Sequence, residues 1–258
     1  MPYVPALCEQ ERWNKVPAVT FAFWIIKIMS TTVGETAADY LAINVGLGTS
    51  FTGAIMSLIL IAALIGQLST RRYTPWIYWL TVVLVSIVGT QITDALTDKL
   101  EISLYSSTFF FAGLLALIFS VWWAAEQTLS IHSITTPRRE LFYWAAILVT
   151  FALGTAAGDL ATEALGMGFT FGVIVFGVLL GLVLLAYLIG VNSVLCFWVA
   201  YILTRPLGAS LGDLLSQSRE YGGMGLGAAP TSICFLIVIV GLVILLTFHK
   251  AEAKTISD

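Results

Sequence analysis

Charge is what this sequence has least of: twelve Lys and Arg and fifteen Asp and Glu are spread over 258 residues. A soluble chain carries about a quarter charged residues. Scarcity on this scale excludes an ordinary water-facing surface, and a net charge of −3 offers no basic footprint for nucleic acid. Cysteine is nearly as rare. Cys8, Cys196 and Cys234 lie far apart with no C-x-x-C pair, so neither a disulfide framework nor a thiolate metal site is expected. Cys8 follows Pro-Ala-Leu, but no basic stretch and apolar run precede it. Residues 1–15 therefore read as a polar tail and not as a cleaved leader. The two histidines, His132 and His249, do not cluster, and no H-E-x-x-H or Ser/His/Asp set is present, so the chain is not expected to be an enzyme. The glycine-rich stretch SREYGGMGLGAAP lacks the G-K-[ST] of a phosphate cradle and reads as a mobile lid. No organic cofactor is indicated.

What the chain has instead is apolar length. Hydrophobic residues make up 59% of it and the mean hydropathy is +0.94. Eight segments approach the ~20 residues that a bilayer core requires: 16–40, 51–68, 75–97, 106–127, 140–162, 169–190, 192–215 and 229–248. They are continuous runs without the alternation of a barrel strand, so helices are expected. Basic residues set the orientation. Arg12, Lys15, Arg71, Arg72, Arg138, Arg139, Lys250 and Lys254 fall at one set of ends, and only Lys99 and Arg219 at the other. The positive-inside rule then places both termini in the cytoplasm.

Within the apolar runs one pattern occurs four times. Trp24 to Asp39, Trp79 to Asp94, Trp144 to Asp159 and Trp198 to Asp213 each read W-x9-G-x4-D, and an aromatic precedes each Trp (Phe23, Tyr78, Tyr143, Phe197). Successive aspartates stand 55, 65 and 54 positions apart, with two crossings between them. The motif helices therefore run the same way, as parallel repeats about an axis along the membrane normal. The expected fold is an all-α membrane domain of eight transmembrane helices in four helical hairpins, pseudo-four-fold. The repeats span about 16–69, 74–128, 139–190 and 192–249, with cytoplasmic tails at 1–15 and 250–258. The four motif helices would face a centre and the four plain ones the lipid, because polar groups avoid hydrocarbon.

Helix positions four apart share a face. Counting back from each Asp gives Lys27, Thr31, Glu35, Asp39, then Val82, Ser86, Thr90, Asp94, then Ile147, Phe151, Thr155, Asp159, and Tyr201, Arg205, Ala209, Asp213. Around one axis these stripes stack a ring of four carboxylates on a layer of Glu35, Thr90 and Thr155, with Ser86, Thr31 and Arg205 deeper. The motif glycines Gly34, Gly89, Gly154 and Gly208 let helices approach or unwind. At ~1.5 Å per residue the aspartates sit near the outer edge of the hydrocarbon, where they are either a cation-attracting vestibule or helix-end residues that hold repeats together. Glu35, Lys27 and Arg205 lie deeper, where charge is costly and usually functional. An Arg205–Glu35 or Lys27–carboxylate pair is expected, as a static ion pair or as a switch. Pro206 would kink its helix. The tryptophans, with Trp76, Trp122 and Trp123, read as an interfacial belt, and Glu126 and His132 as the cap or inner gate of the fourth span.

Three stretches, GETAADYL, the Tyr73 to Asp94 segment and TRPLGASLGDLL, resemble a bacterial family of uncharacterised membrane-anchored proteins built from tandem two-helix repeats of unknown function. The resemblance covers nearly the whole chain and implies eight helices in a bacterial inner membrane; it implies no activity. The residues themselves suggest a small secondary transporter of a cation, embedded in the lipid bilayer and open to proton coupling. Asp39, Asp94, Asp159, Asp213, Glu35, Thr90 and Thr155 would bind substrate, and Lys27 and Arg205 would be countercharges or gates. If the cation is a metal, the carboxylates Glu35, Asp39, Asp94, Asp159 and Asp213 favour a hard divalent ion such as Mn²⁺ or Mg²⁺. The rival expectation is a non-transporting scaffold or sensor in which the same charges hold the repeats together. Four repeats can close a ring in one chain, which leaves the oligomeric state open.

Overall fold

A computed structural model describes residues 14–257, except for the side chains at 98, 99, 163, 164 and from 249 onward. Among the described residues all regular structure is helical. Eight long helices follow one another: α1 (Phe21–Asp39), α2 (Thr49–Ser69), α3 (Pro75–Asp94), α4 (Leu104–Glu126), α5 (Pro137–Asp159), α6 (Phe169–Leu188), α7 (Ser193–Ser216) and α8 (Ala228–Ser257). Their starts are chemically marked. Thr-Pro opens α3 and α5, where proline's missing N–H costs nothing. Thr20, Ser103, Thr136 and Asn192 accept backbone N–H groups as N-caps.

Seven of the eight are long and apolar enough to cross a membrane. The exception is α1, which is long enough but carries Lys27, Glu35 and a run of hydroxyl side chains. Burial sorts the helices into two sets. The helices α1, α3, α5 and α7 bury most of their side chains, hydroxyls and charges included, while α2, α4, α6 and α8 expose long aliphatic and aromatic faces. An exposed apolar surface of that extent suits lipid and not water.

The inner helices touch in a closed cycle: α1 packs on α3, α3 on α5, α5 on α7 and α7 on α1. Each outer helix packs on the inner helix that follows it, α2 on α3, α4 on α5 and α6 on α7, and α8 returns to α1. The motif residues explain the cycle. The aromatic before each Trp meets the Trp of the next repeat: Phe23 on Trp79 at 5.5 Å, Tyr78 on Trp144 at 5.5 Å, Tyr143 on Trp198 at 6.2 Å and Phe197 on Trp24 at 5.7 Å between centroids. The glycines repeat the same step one level higher. A Cβ at Gly34 would overlap Ser86, at Gly89 Phe151, at Gly154 Arg205 and at Gly208 Thr31. Each of these four neighbours stands eight residues before the motif Asp of the next repeat. One repeat therefore docks on the next through the same residues four times, and the fourth docks on the first.

This corrects the belt reading of the tryptophans. Trp76 and Trp123 are exposed, but Trp79, Trp122, Trp144 and Trp198 are buried between helices. Large flat rings at the start of each inner helix fill the space where four backbones converge, and the tilted ring contacts between repeats add to their burial. A test follows from the glycines. Gly34→Val is expected to destabilise the fold by at least about 1–3 kcal/mol, because both helix backbones would have to part. Gly113→Val, on the open face of α4 where a Cβ meets nothing, is expected to change stability little. Unfolding midpoints in mild detergent separate the two.

Candidate functional site

Where the inner helices meet, the side chains predicted as one layer converge on a single guanidinium. Arg205 Nη2 donates to Glu35 Oε2 at 2.6 Å, to Thr155 Oγ1 at 2.6 Å and to Thr90 Oγ1. Thr90 also reaches Glu35 Oε2 at 3.4 Å. Four side chains from α1, α3, α5 and α7 thus form one network, which includes the expected Arg205–Glu35 pair. The convergence has a local cause. Arg205 stands one turn before the level of Glu35, Thr90 and Thr155 in its motif. Cα–Cβ tilt shifts all four side chains alike on parallel helices, and the long arginine stem spans that turn. Gly154 clears the space that the arginine stem occupies, and Pro206 lies against Gly154 and Gly158 of α5. Pro206 leaves α7 unbroken from Ser193 to Ser216. Thr31 and Thr32 of α1 donate to the Thr204 and Gly208 carbonyls beside it at 3.3 and 3.1 Å.

The pair is buried unequally. Arg205 is fully enclosed, whereas Glu35 keeps 7% of its surface exposed. Only Nη2 of the guanidinium is engaged. Nε and Nη1 have no hydrogen-bond partner among the described residues.

Lys27 differs from expectation. It is fully buried, but no carboxylate pairs with it, and Nζ has no hydrogen-bond partner among the described residues. It lies over the rings of Phe151 at 4.2 Å and Tyr201 at 4.3 Å, a cation–π seat. Lys27 stands two turns below Glu35 on α1, and of the two expected pairs the structure forms Arg205–Glu35. Below it the Phe23, Tyr78, Tyr143 and Phe197 rings close the basic end of the bundle, with Tyr78 and Tyr143 hydroxyls hydrogen-bonded at 2.5 Å.

The motif aspartates occupy the opposite end. Asp39, Asp94 and Asp159 are half-buried and Asp213 is buried, and none of the four lacks a partner. Directly after Asp39, Asp94 and Asp159 the chain widens into one π-helical turn, at Tyr40–Asn44, Ala95–Lys99 and Leu160–Ala164, a geometry that recurs at functional sites. Asp213 has no such turn after it. Among the described residues, no group of three or more His, Cys, Asp or Glu side chains is placed to hold a metal ion. Glu35, Asp39, Asp94, Asp159 and Asp213 therefore gain no assembled metal cage. The glycine-rich stretch after Asp213 is pinned, not loose. Its Met224, Gly225, Leu226 and Gly227 N–H groups bond the Leu214, Gln217, Leu215 and Ser216 carbonyls and so cap α7.

One buried contact had no signal in the sequence. Lys15 Nζ meets Glu140 Oε2 at 2.6 Å and the Leu68 carbonyl at 3.0 Å, and Gln67 Nε2 donates to Glu140 Oε1 at 3.0 Å. The segment before α1, the end of α2 and the start of α5 are thereby tied together at the basic end. Glu140 also sits in the first turn of α5, where a carboxylate complements the helix dipole. Glu140→Ala would strand Lys15 and is expected to cost about 3–5 kcal/mol, read as a lowered unfolding midpoint. Glu126 binds Arg139 at 2.8 Å and Arg138 at 3.5 Å, and so ties α4 to α5 as a cap does, while His132 is exposed.

A family model described as a repeat of unknown function, DUF347, matches the chain four times in tandem, at residues 22–73, 77–128, 142–190 and 196–252. No curated protein and no solved structure matches the chain.

Proposed function

The chain belongs to the DUF347 repeat family, and from that premise we propose that it is a small secondary transporter of a cation, in which the Glu35–Arg205 pair is the switch. The observation that carries this reading is the network of Arg205 with Glu35, Thr90 and Thr155, which draws one side chain from each repeat to the middle of the bundle. A buried charge pair inside apolar helices is expensive and is retained where it has a task. In the resting state Arg205 occupies Glu35. A cation that reaches the acid, a proton above all, neutralises it, frees the guanidinium and loosens a hydrogen-bonded link shared by all four inner helices. All eight helices would cross a bacterial inner membrane with both termini cytoplasmic, the ring axis lying along the membrane normal. Lys15, Arg71, Arg72, Arg138 and Arg139 then lie at the cytoplasmic end. Asp39, Asp94, Asp159 and Asp213 would line an outer mouth that concentrates cations. The proton fits Glu35 better than a divalent metal does, because among the described residues no cage of carboxylates surrounds it.

The second reading, a non-transporting scaffold, is favoured by the cyclic docking of the motif Trp and Gly residues, which serves packing alone. Proteoliposomes separate them. With a pH dye inside, the carrier releases an imposed proton gradient when one of Na⁺, K⁺, Mg²⁺ or Mn²⁺ is supplied outside, and Glu35→Gln abolishes the release. The paired changes Asp94→Asn and Asp159→Asn leave it intact at saturating cation but raise the concentration required. A scaffold gives no release in any vesicle, and the variants only unfold more easily.

A further inference from the structure

The proposed switch uses one nitrogen of Arg205 and leaves the rest of the centre in an unusual state. Nη2 has two protons and three oxygen neighbours, whereas Nε and Nη1 carry three protons with no acceptor among the described residues. Lys27 Nζ, also fully buried, has none either, and neither does the Tyr201 hydroxyl. These groups are neighbours. Lys27 Nζ lies 4.2 Å and the Arg205 guanidinium carbon 5.8 Å from the same Phe151 ring, and Tyr201 packs on both Phe151 and Lys27.

Buried donors without acceptors are costly, and here they come from two basic side chains against one carboxylate. Glu35 answers Arg205; among the described residues no carboxylate answers Lys27. A cation–π seat offsets part of that cost but accepts no conventional hydrogen bond. The missing element is one negative charge with lone pairs directed at N–H groups.

We propose that Lys27 and Arg205 together bind a small monovalent anion beside Phe151 and Tyr201, as the co-substrate of the carrier. The chemical class is a compact halide or planar oxyanion, such as chloride, nitrate or formate, because the groups around it are two fixed rings and short helix contacts. The inference rests on the switch reading above and deepens it. When a proton takes Glu35, the freed Nη2 turns to the anion, so proton and anion bind together and leave the net charge of the centre unchanged. When both leave, Glu35 recovers Arg205. The cation that drives the cycle and the anion that accompanies it then use opposite sides of one guanidinium.

The test is anion binding to the purified full-length protein in detergent, followed by unfolding temperature at fixed sodium and ionic strength. Chloride, nitrate and formate are compared with bulky gluconate, at pH 5 and pH 8. Small anions are expected to stabilise the protein selectively, more strongly at pH 5. Glu35→Gln, which keeps hydrogen-bonding atoms at that position, is expected to bind at least about tenfold more tightly at pH 8, because the competing carboxylate is gone; that is ~1.4 kcal/mol. Lys27→Met is expected to lose the selectivity. No anion-dependent shift in either the natural protein or Glu35→Gln would overturn the assignment, as would a shift that survives Lys27→Met unchanged. Because Glu35→Gln is tested for a gain, a poorly folded Lys27 variant does not leave the question open. Vesicle flux separates this inference from its premise. Selective anion binding without any flux would leave the site standing and remove the carrier, and proton-coupled flux indifferent to every anion would do the reverse.

Discussion

Arg205→Leu is expected to lower the stability of the folded protein by about 3–5 kcal/mol. The loss does not measure the strength of one ion pair. It arises because Glu35, 7% exposed, is left charged with Thr90 as its remaining partner, and because Thr155 loses the guanidinium. Glu35→Leu strands Arg205, which is fully buried, and is expected to cost as much. The double change removes both charges together and is expected to recover most of the loss, since a buried pair replaced by apolar groups of similar volume is often neutral or better. The coupling from the double-mutant cycle should therefore be large and opposite in sign to the sum of the single costs. Unfolding midpoints of the four proteins in one detergent provide it. Additive costs would mean that Arg205 and Glu35 do not depend on each other, and the centre described here would be wrong.

The second large effect is on flux. Glu35→Gln is expected to bring cation-driven proton release down to that of empty vesicles while the unfolding midpoint falls far less than in Arg205→Leu, because the amide still accepts from Arg205. A fixed ion pair and a switch predict the same stability for the double-mutant cycle, but only a switch makes one carboxyl proton indispensable to movement. If Glu35→Gln vesicles released the gradient as the natural protein does, the acid would be a structural partner of Arg205 and the carrier reading would lose its coupling residue.

Much of this arrangement was legible because the repeats align without gaps inside each motif. The interval of four along a helix was enough to put Glu35, Thr90 and Thr155 in one layer, and the count of crossings made the motif helices parallel. Tyr201 holds in the fourth motif the position that Lys27 holds in the first, and Phe151 stands one turn further along the third, so the aromatic seat was legible from the same count. What local pattern does not carry is the direction in which a long side chain turns. Lys27 and Arg205 both lie below the acid, and nothing in their spacing says that one of them alone reaches it.

The tryptophans were ambiguous for a related reason. A residue at the start of a membrane helix lies both at the lipid headgroups and at the seam between helices. Only three-dimensional packing separates Trp76 and Trp123, which are exposed, from Trp79, Trp144 and Trp198, which are wedged against the preceding repeat. Lys15 and Glu140 were harder still. They are 125 positions apart and outside any repeat register, so no local pattern pairs them. The first helix was expected to be a span like the others. Its low apolarity has a physical reason: it supplies Lys27, Glu35 and the threonines that bond across to α7, so its polarity is buried in protein.

The most direct measurement is an infrared pH-difference spectrum of the protein in lipid bilayers, recorded with and without the stimulating cation and compared with Glu35→Gln. A switch predicts a protonated-carboxyl signal that grows as pH falls, is displaced or shifted by the cation, and is absent from Glu35→Gln, accompanied by a change in the guanidinium bands of Arg205. A carboxylate signal at Glu35 that stays the same across pH 5 to 8, with or without the cation, would contradict the switch and leave a permanent ion pair at the centre of the ring.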